Sequence, residues 1–310
     1  MSSRAQSIVR LLNNIDRIIL GKGDRVRIAV ATLLARGHLL LEDVPGVGKT
    51  TLSRALAQSI RCGFQRVQAT SDLLPSDIIG VSIYDHQRNS FEFKPGPIFT
   101  NLLLVDEINR ATPRTQSSLL QAMSEFEVTI DQNTYSLGPL FFVVATQNPV
   151  EQIGTFLLPE SQLDRFSVRI SLGYPSAESE ERMIFDQMEG HPVEDLEQVI
   201  TSEEILIAQQ EVQKIRIDPR VARYVLKIAE KTRTRDDLAA GVSPRGVLSL
   251  VRLSQAHALL DGRDYVAPDD IKALAAPALA HRVIYRGGFR TSLEEEYALI
   301  RNVLDEVPVP

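Results

Sequence analysis

A glycine-rich turn between an apolar run and a helical pattern limits the fold of this chain more than any other stretch. Leu39–Leu41 are typical of a buried strand, and apolar residues recur at helical spacing after Lys49. Between these two segments lie Pro45, Gly46, Val47 and Gly48. Such a turn directs successive backbone N–H groups towards one point, where the positive end of the helix dipole adds to them. The turn predicts an anion site, although an ordinary strand–turn–helix junction remains an alternative.

The same stretch follows the phosphate-loop pattern G-x-x-x-x-G-K-[ST] except at its first position, where Asp43 stands in place of glycine. Lys49 would reach the β- and γ-phosphates of a nucleotide, and the Thr50 hydroxyl would hold Mg²⁺. The N–H groups that cradle phosphate follow Asp43, so this departure affects only the entry to the loop. The residues expected to bind the nucleotide here are Pro45, Gly46, Val47, Gly48, Lys49, Thr50 and Thr51.

Strand-like runs alternate with helical patterns up to Pro175, which predicts a parallel sheet with helices on both faces. The five predicted strands are His38–Glu42, Phe64–Ala69, Leu102–Asp106, Phe141–Thr146 and Phe166–Leu172. The helices predicted after Pro175 are Glu178–Glu189, Ser202–Ile215, Pro219–Thr232, Pro244–Leu260 and Pro268–Val283. We therefore expect an α/β core over residues 1–175 and an all-helical domain over residues 176–310.

Composition restricts the environment in which this chain works. The 310 residues are 44% hydrophobic, which suffices for two cores, and no apolar run approaches the ~20 residues that span a bilayer. The net charge of −6 argues against bulk nucleic-acid binding. A single cysteine, Cys62, excludes an internal disulfide, suits a reducing compartment, and is expected to be a packed side chain. Because the N-terminus also lacks an apolar signal core, we expect a cytoplasmic protein without a membrane span.

Two acids follow the third predicted strand, in the stretch NLLLVDEINR. Open α/β sheets bind ligands at the carboxyl ends of their strands, which is where Asp106 and Glu107 would lie. Asp106 would complete the Mg²⁺ shell with Thr50, and Glu107 would orient or deprotonate an attacking water. Together with the loop, these acids predict nucleotide hydrolysis as well as binding.

Three further polar residues are candidates for the reaction. Asn148 ends the fourth predicted strand and could hold the lytic water, although Asn148-Pro149 is also a common turn. Arg165 precedes the fifth strand and is either a solvated or paired charge or an arginine finger for the next subunit. Arg245 lies in the predicted first turn of a helix, where the dipole disfavours a cation unless an anion stands in front of it.

In this order, the motifs resemble those of the AAA+ ATPases and, more narrowly, of the MoxR family. The resemblance covers nearly the whole chain. Its most specific parts are EDVPGVGKTTL, LLLVDEINRATPRTQSSLLQAMSE, FFVVATQNP, LPESQLDRF and GVSPRG. The MoxR-like loop tolerates Asp43, so the resemblance implies a working nucleotide site.

The resemblance also implies a role for each candidate residue. The loop looks like Walker A, and the acids Asp106 and Glu107 look like Walker B. Asn148 is similar to sensor 1, Arg165 to the arginine finger and Arg245 to sensor 2. Gly21 matches the place where the family's N-terminal segment passes the adenine. The family implies ATP and Mg²⁺ as cofactors, a homo-oligomeric ring that is usually hexameric, and chaperone-like remodelling of client proteins, often with a von Willebrand A domain protein that would here be separate.

Two stretches have the alternation of β-hairpins, GVSIYDHQRNSFEFKPGPIF and FEVTIDQNTYSLG. They resemble the helix-2 insert and the pre-sensor-1 hairpin, which face the central channel in related rings. Plain surface hairpins would have the same pattern.

Other functions remain compatible with these motifs. A nucleic-acid motor shares the branch, but the predicted hairpin tips, Asp85–Asn89 and Asp131–Asn133, are not basic. A chelatase-type subunit would need large partner subunits. A nucleotide-gated switch with little hydrolysis would not need Glu107, Asn148 or Arg165.

Overall fold

The computed structural model describes residues 3–149, 154–189, 193–287 and 292–310. Its strands are β1 (Leu39–Glu42), β2 (Phe64–Gln68), β3 (Gly80–Asp85), β4 (Ser90–Pro95), β5 (Leu102–Asp106), β6 (Glu127–Ile130), β7 (Asn133–Ser136), β8 (Phe142–Gln147), β9 (Val168–Ile170), β10 (Leu238–Ala240) and β11 (Ile284–Tyr285). Its helices are α1 (Ser3–Asp16), α2 (Gly23–Leu34), α3 (Lys49–Ile60), α4 (Pro75–Ile79), α5 (Pro113–Glu125), α6 (Glu160–Leu163), α7 (Ala177–Glu189), α8 (Ser202–Val212), α9 (Pro219–Arg233), α10 (Pro244–Leu260), α11 (Pro268–Leu279) and α12 (Leu293–Glu306).

A five-stranded parallel sheet lies at the centre, in the order β2-β5-β8-β1-β9. These are the five strands that the sequence predicts, each within two residues of its expected bounds. Every residue of β5 and β8 is buried, which is typical of strands covered on both faces. The predicted α/β fold with a parallel-sheet core is therefore confirmed.

Alternate side chains of the sheet enter two hydrophobic clusters. Leu39 and Leu41 pack with residues of α1, α2 and α3, whereas Leu40 packs with residues of α5 on the other face. This division follows from the two-residue period of a strand. The first cluster continues into α8–α12, so the helical region after Pro175 shares a core with the sheet.

Both predicted hairpins are present as antiparallel pairs, β3 with β4 and β6 with β7. They contact each other, since the Phe93 ring stacks on that of Tyr135 with centroids 4.2 Å apart. Near the tip of the first hairpin, Phe91 is 73% exposed and packs edge-on against Tyr84.

The C-terminal region is largely helical, as predicted, with differences in detail, of which one is that α8 ends at Val212, three residues before its predicted end. The helix expected to reach Val283 ends at Leu279, after Pro277 has removed one backbone donor near its end. A 3₁₀ turn, Ala280–Arg282, follows, and β11 then pairs with β10 in a small ribbon that the sequence analysis did not predict. The last helix, α12, was also missed.

A buried ion pair attaches α12 to the edge strand β9. Arg169 donates to Glu296 at 2.6 Å and lies 3.6 Å from Glu42, and the Tyr297 hydroxyl donates to the Arg169 carbonyl. Among the described helices, none combines the length and the apolarity that a membrane span requires.

Candidate nucleotide-binding site

The phosphate loop leaves the carboxyl end of β1 and leads into α3. Gly46 and Gly48 have φ of 89° and 96°, in the left-handed region that other residues rarely adopt. A Cβ at Gly46 would meet nothing within 4 Å, so the space in front of the loop is open. With α3 beginning at Lys49, the free N–H groups of its first turn face the same space.

The cation of the loop is half-buried and rests on the loop's own main chain. Lys49 Nζ donates to the carbonyls of Asp43 (2.6 Å) and Val44 (3.3 Å). Burial lowers the pKa of Lys49, and the nearby carboxylates of Asp43, Asp106 and Glu107 oppose that shift. The ammonium therefore lies at the same edge of the sheet as the two acids, and within the described part of the chain it donates to main-chain carbonyls and not to a carboxylate.

Asp106 and Glu107 end β5 as predicted, and Thr146 of β8 joins them. The Thr146 hydroxyl donates to Asp106 at 3.2 Å, and the Glu107 N–H donates to the Thr146 Oγ1 at 2.9 Å. Glu107 has φ of 55°, so the chain turns sharply as it leaves the strand. Because of this turn, the two adjacent carboxylates contact different groups.

Three residues that sequence reasoning missed hold the two acids. Arg66 lies 2.7 Å from Asp106, Gln68 donates to Glu107 at 2.9 Å, and Arg110 is 3.2 Å from Glu107. Arg66 and Gln68 alternate on β2, which borders β5. The sequence shows Arg66 and Gln68 two residues apart on one predicted strand, which places both on the same face. It does not show that this strand lies beside β5, so their contacts with the acids could not be predicted.

The donor set at this edge fits a hard divalent cation. The Thr50 hydroxyl in the first turn of α3 and the buried Asp106 carboxylate are oxygen ligands of the kind that Mg²⁺ takes. Asn148 follows β8 at the same edge and is half-buried. The structure thus brings the predicted loop, acids and amide to one edge of the sheet.

A cavity of about 250 Å³ opens beside the first turn of α3. Ile18, Leu20, Thr51 and Met183 are among the side chains that line it. Gly21 follows this wall with φ of 70°, and a Cβ there would come within 2.9 Å of the Ser179 hydroxyl in α7. Arg17, Arg54, Asp186 and Glu194 also line the cavity, and its apolar part, next to the loop, suits the base of a nucleotide.

Arg165 lies at the opposite edge of the sheet, which is the end at which the parallel strands begin, whereas the loop and the acids lie at the end at which they finish. It precedes β9, and its guanidinium donates to the Leu120 carbonyl (2.7 Å) and the Ser124 hydroxyl (2.9 Å) near the C-terminal end of α5. The four residues of β1 separate this edge from the loop by about 13 Å at 3.3 Å per residue. Arg165 therefore does not reach the phosphate loop of its own chain.

Arg245 is at this second edge as well. Its guanidinium lies 3.9 Å from the Asp164 carboxylate, which also pairs with the buried Arg282 at 3.2 Å. Burial lowers the pKa of His38 at the start of β1 to about 4, and the charge of Arg245 contributes to this shift. The structure thus brings Arg245 together with Asp164, next to Arg165 in the chain, and not to the edge that carries the loop.

A group of His257, Asp261 and Asp270 elsewhere has donor atoms close enough to hold a metal ion. All three members already bond to one another or to arginines, since the His257 ring bonds Asp270, Arg263 bonds both carboxylates and Arg27 bonds Asp261. This group is best described as an ion-pair network between α2 and the helical region.

Comparisons with known proteins agree with this geometry. The model of the "ATPase family associated with various cellular activities (AAA)" matches residues 38–168, and that of the "AAA lid domain" matches residues 230–303. A crystal structure of a protein from Cytophaga hutchinsonii superimposes with a TM-score of 0.87 and 34% identity, covering 99% of this chain and 96% of that one.

Several relatives match over most of their length, among them the following two. YeaC of Bacillus subtilis strain 168 is 48% identical over 97% of this chain and 94% of its own. Chaperone MoxR1 of Mycobacterium tuberculosis is 35% identical over 100% of this chain and 84% of its own. The loop, the acids at the end of β5 and the helical region occur here in the arrangement expected of that group, and the chain belongs to the MoxR family of AAA+ ATPases.

Proposed function

We propose that this protein hydrolyses ATP with the help of Mg²⁺. The observation that supports the proposal most directly is the meeting of Lys49, Asp106 and Glu107 at one edge of the sheet, within electrostatic range of one another. A cation next to an open glycine loop suits the phosphates, and a carboxylate pair suits a metal and a water.

In this proposal each residue has a separate task. Lys49 and the loop N–H groups hold the phosphates, and the hydroxyl of Thr50 and the carboxylate of Asp106 hold Mg²⁺, which would neutralise charge on the phosphates. Glu107 takes the proton of the attacking water, or orients that water, and Asn148 steadies the water or the γ-phosphate. Gly21 allows the chain to pass the base closely.

We further propose that the active unit is a ring, with six subunits as the expected number. Arg165 and Arg245 lie at the edge opposite the loop of their own chain. A head-to-tail arrangement presents that edge to the loop of the next subunit, where the two cations would stabilise charge on the γ-phosphate. Rings in which all interfaces are alike then place one complete site at each junction.

The proposed task of the ring is to remodel client proteins in the cytoplasm, with a separate von Willebrand A domain protein as a possible partner class. The exposed apolar side chains of the first hairpin, Val81, Ile83 and Phe91, support contact with protein and do not favour a phosphate backbone. The name of the relative Chaperone MoxR1 agrees with this task.

Two variants test the hydrolysis proposal together. Glu107→Gln keeps the size of the side chain but cannot accept a proton, so it should bind ATP normally and hydrolyse it about 10²-fold or more slowly. Lys49→Ala removes the cation from the phosphates and should weaken ATP binding itself. Isothermal titration and a phosphate-release assay, with and without Mg²⁺, separate the two effects. Hydrolysis by Glu107→Gln within a few-fold of the wild type would remove Glu107 from this role.

A further inference from the structure

The aspartate that replaces the first glycine of the loop contacts a distant part of the chain. Asp43 is 6% exposed, and its carboxylate accepts three hydrogen bonds. The donors are the Ser171 hydroxyl at 2.6 Å, the Leu172 N–H at 2.5 Å and the Gly173 N–H at 3.1 Å. All three belong to the segment that leaves β9 and leads to α7.

The main chain of the same residue holds the loop's cation. Lys49 Nζ donates to the Asp43 carbonyl at 2.6 Å. Asp43 therefore touches Lys49 with its backbone and the segment 171–173 with its side chain. A glycine at this position could supply the first contact but none of the other three.

The segment after β9 also contacts the other wall of the cavity. Lys22 Nζ donates to the Tyr174 carbonyl at 2.7 Å, and Gly21 lies against Ser179 in the first turn of α7. Met183 of α7 faces the cavity next to Thr51. Residues 171–174 are thus bonded to the phosphate loop through Asp43 and to the segment before α2 through Lys22, and both of these border the proposed nucleotide. They also connect the sheet to the helical region.

We propose that Asp43 is a positioning residue, whose carboxylate couples nucleotide in the phosphate loop to residues 171–174 and, through them, to α7. The proposal rests on the proposed binding of ATP by the loop. When phosphates draw Lys49 Nζ away from the carbonyls of Asp43 and Val44, the backbone at Asp43 is relieved of that contact. The carboxylate attached to this backbone transmits the change to the segment that carries α7.

Hydrogen–deuterium exchange of the peptides covering 170–176 and 177–189 tests the coupling, with ADP and a non-hydrolysable ATP analogue as probes in the presence of Mg²⁺. In the wild type, nucleotide should change the exchange of both peptides. In Asp43→Gly, the 170–176 peptide should exchange at least about tenfold faster, because its N–H groups lose a charged acceptor. This variant should still bind nucleotide, and nucleotide should no longer alter the exchange of either peptide.

Ser171→Ala removes one donor from the far side and leaves the loop sequence unchanged. It should reduce, but not abolish, the effect of nucleotide on the exchange of the 170–176 peptide. In the double variant with Asp43→Gly, it should not change the exchange of that peptide any further. It also provides the test if Asp43→Gly does not fold. Ser176→Ala is the control for the 170–176 peptide, since that serine bonds Ser179 at the start of α7 and not Asp43, so it should leave the nucleotide response of this peptide intact.

The outcomes are distinguishable. If the wild type binds nucleotide and the 170–176 peptide does not respond, or if both Asp43→Gly and Ser171→Ala keep the full response, the coupling is wrong and the proposed ATP binding stands. If the wild type binds no nucleotide, the proposed function itself fails, and the coupling fails with it. A purely structural role for Asp43 would lower the thermal unfolding midpoint and leave the nucleotide response unchanged.

Discussion

At the scale of single residues, buried polar groups in this protein act as connectors between elements. His38 at the start of β1 is an example, because its ring accepts from the Val143 N–H at 3.1 Å and its other nitrogen lies 2.9 Å from the Met123 carbonyl. Nδ1 is thus the acceptor and Nε2 the donor, which describes a neutral imidazole. One ring therefore links β1, β8 and α5.

The stability of the fold should depend on pH through His38. Burial lowers the pKa of this histidine from 6.5 to about 4, so the folded state resists protonation. Its contribution is complete above pH 6.5 and should fall as the pH drops from 6.5 towards 4, by roughly 3 kcal/mol in total. Urea unfolding at several pH values measures this loss.

His38→Gln serves as the comparison, since glutamine offers a donor and an acceptor but does not titrate. The stability of this variant should fall less steeply between pH 6.5 and pH 4. Equal slopes for the two proteins would assign the pH dependence to other groups.

At the scale of elements, most regular segments with local signals were predicted, α12 being an exception, and the short strands defined by distant contacts were not. α10 has the predicted bounds, and its start has a local cause, because Ser243 caps it by accepting from the Gly246 N–H. β10 and β11 have two or three residues each and exist only as partners of each other. α12 escaped prediction although Ser292 and Glu295 form a capping box at its start.

The attachment of α12 should depend on its buried ion pair. Glu296→Ala leaves the buried Arg169 with only the more distant Glu42 carboxylate, 3.6 Å away, so the loss should approach but stay below the about 3–5 kcal/mol of a buried charge left without any partner. We expect a corresponding drop in the free energy of unfolding by guanidinium. Glu306→Ala removes a surface acid of the same helix, paired with Lys231, and should leave the unfolding midpoint close to that of the wild type. Similar losses in both variants would show that this ion pair does not anchor α12.

At the scale of the whole molecule, the candidate residues lie at two opposite edges of the sheet. The carboxyl edge carries the loop and the acids, and the other edge carries Arg165, Arg245 and Asp164. A monomer cannot bring these two edges together, because the length of the strands separates them. In the proposed function, activity is therefore a property of the assembly.

Mixed rings test this directly. Arg165→Ala should bind ATP almost normally and hydrolyse very little, since such fingers contribute about 10³–10⁵ in rate, and Lys49→Ala should also be inactive. When the two variants are mixed, some junctions pair an intact Arg165 with an intact loop. These junctions should restore part of the ATPase activity at concentrations where rings form, and none where the chains are monomers.

Native mass spectrometry must first show that mixed rings form. If they do and the activity stays at the level of the separate variants, Arg165 does not act on a neighbour. Its bonds to Leu120 and Ser124 would then be its whole role, as a structural cation that ties the start of β9 to α5.

Much of the nucleotide site was determined by the sequence alone, because its signals are local. Glycines at Gly46 and Gly48 permit the positive φ angles of the loop, and an apolar strand that ends in Asp106 and Glu107 places the acids at the edge. Only the tertiary structure decided which groups these residues meet. Asp43 bonds to residues that are 128 to 130 positions away in the chain. Asp106 and Glu107 meet their partners on β2 because the strand order places β2 beside β5. Arg245 reaches Asp164 because of the way α10 packs. Local backbone preference acts over a few residues, whereas contacts at such separations arise only when the sheet and the helices pack together.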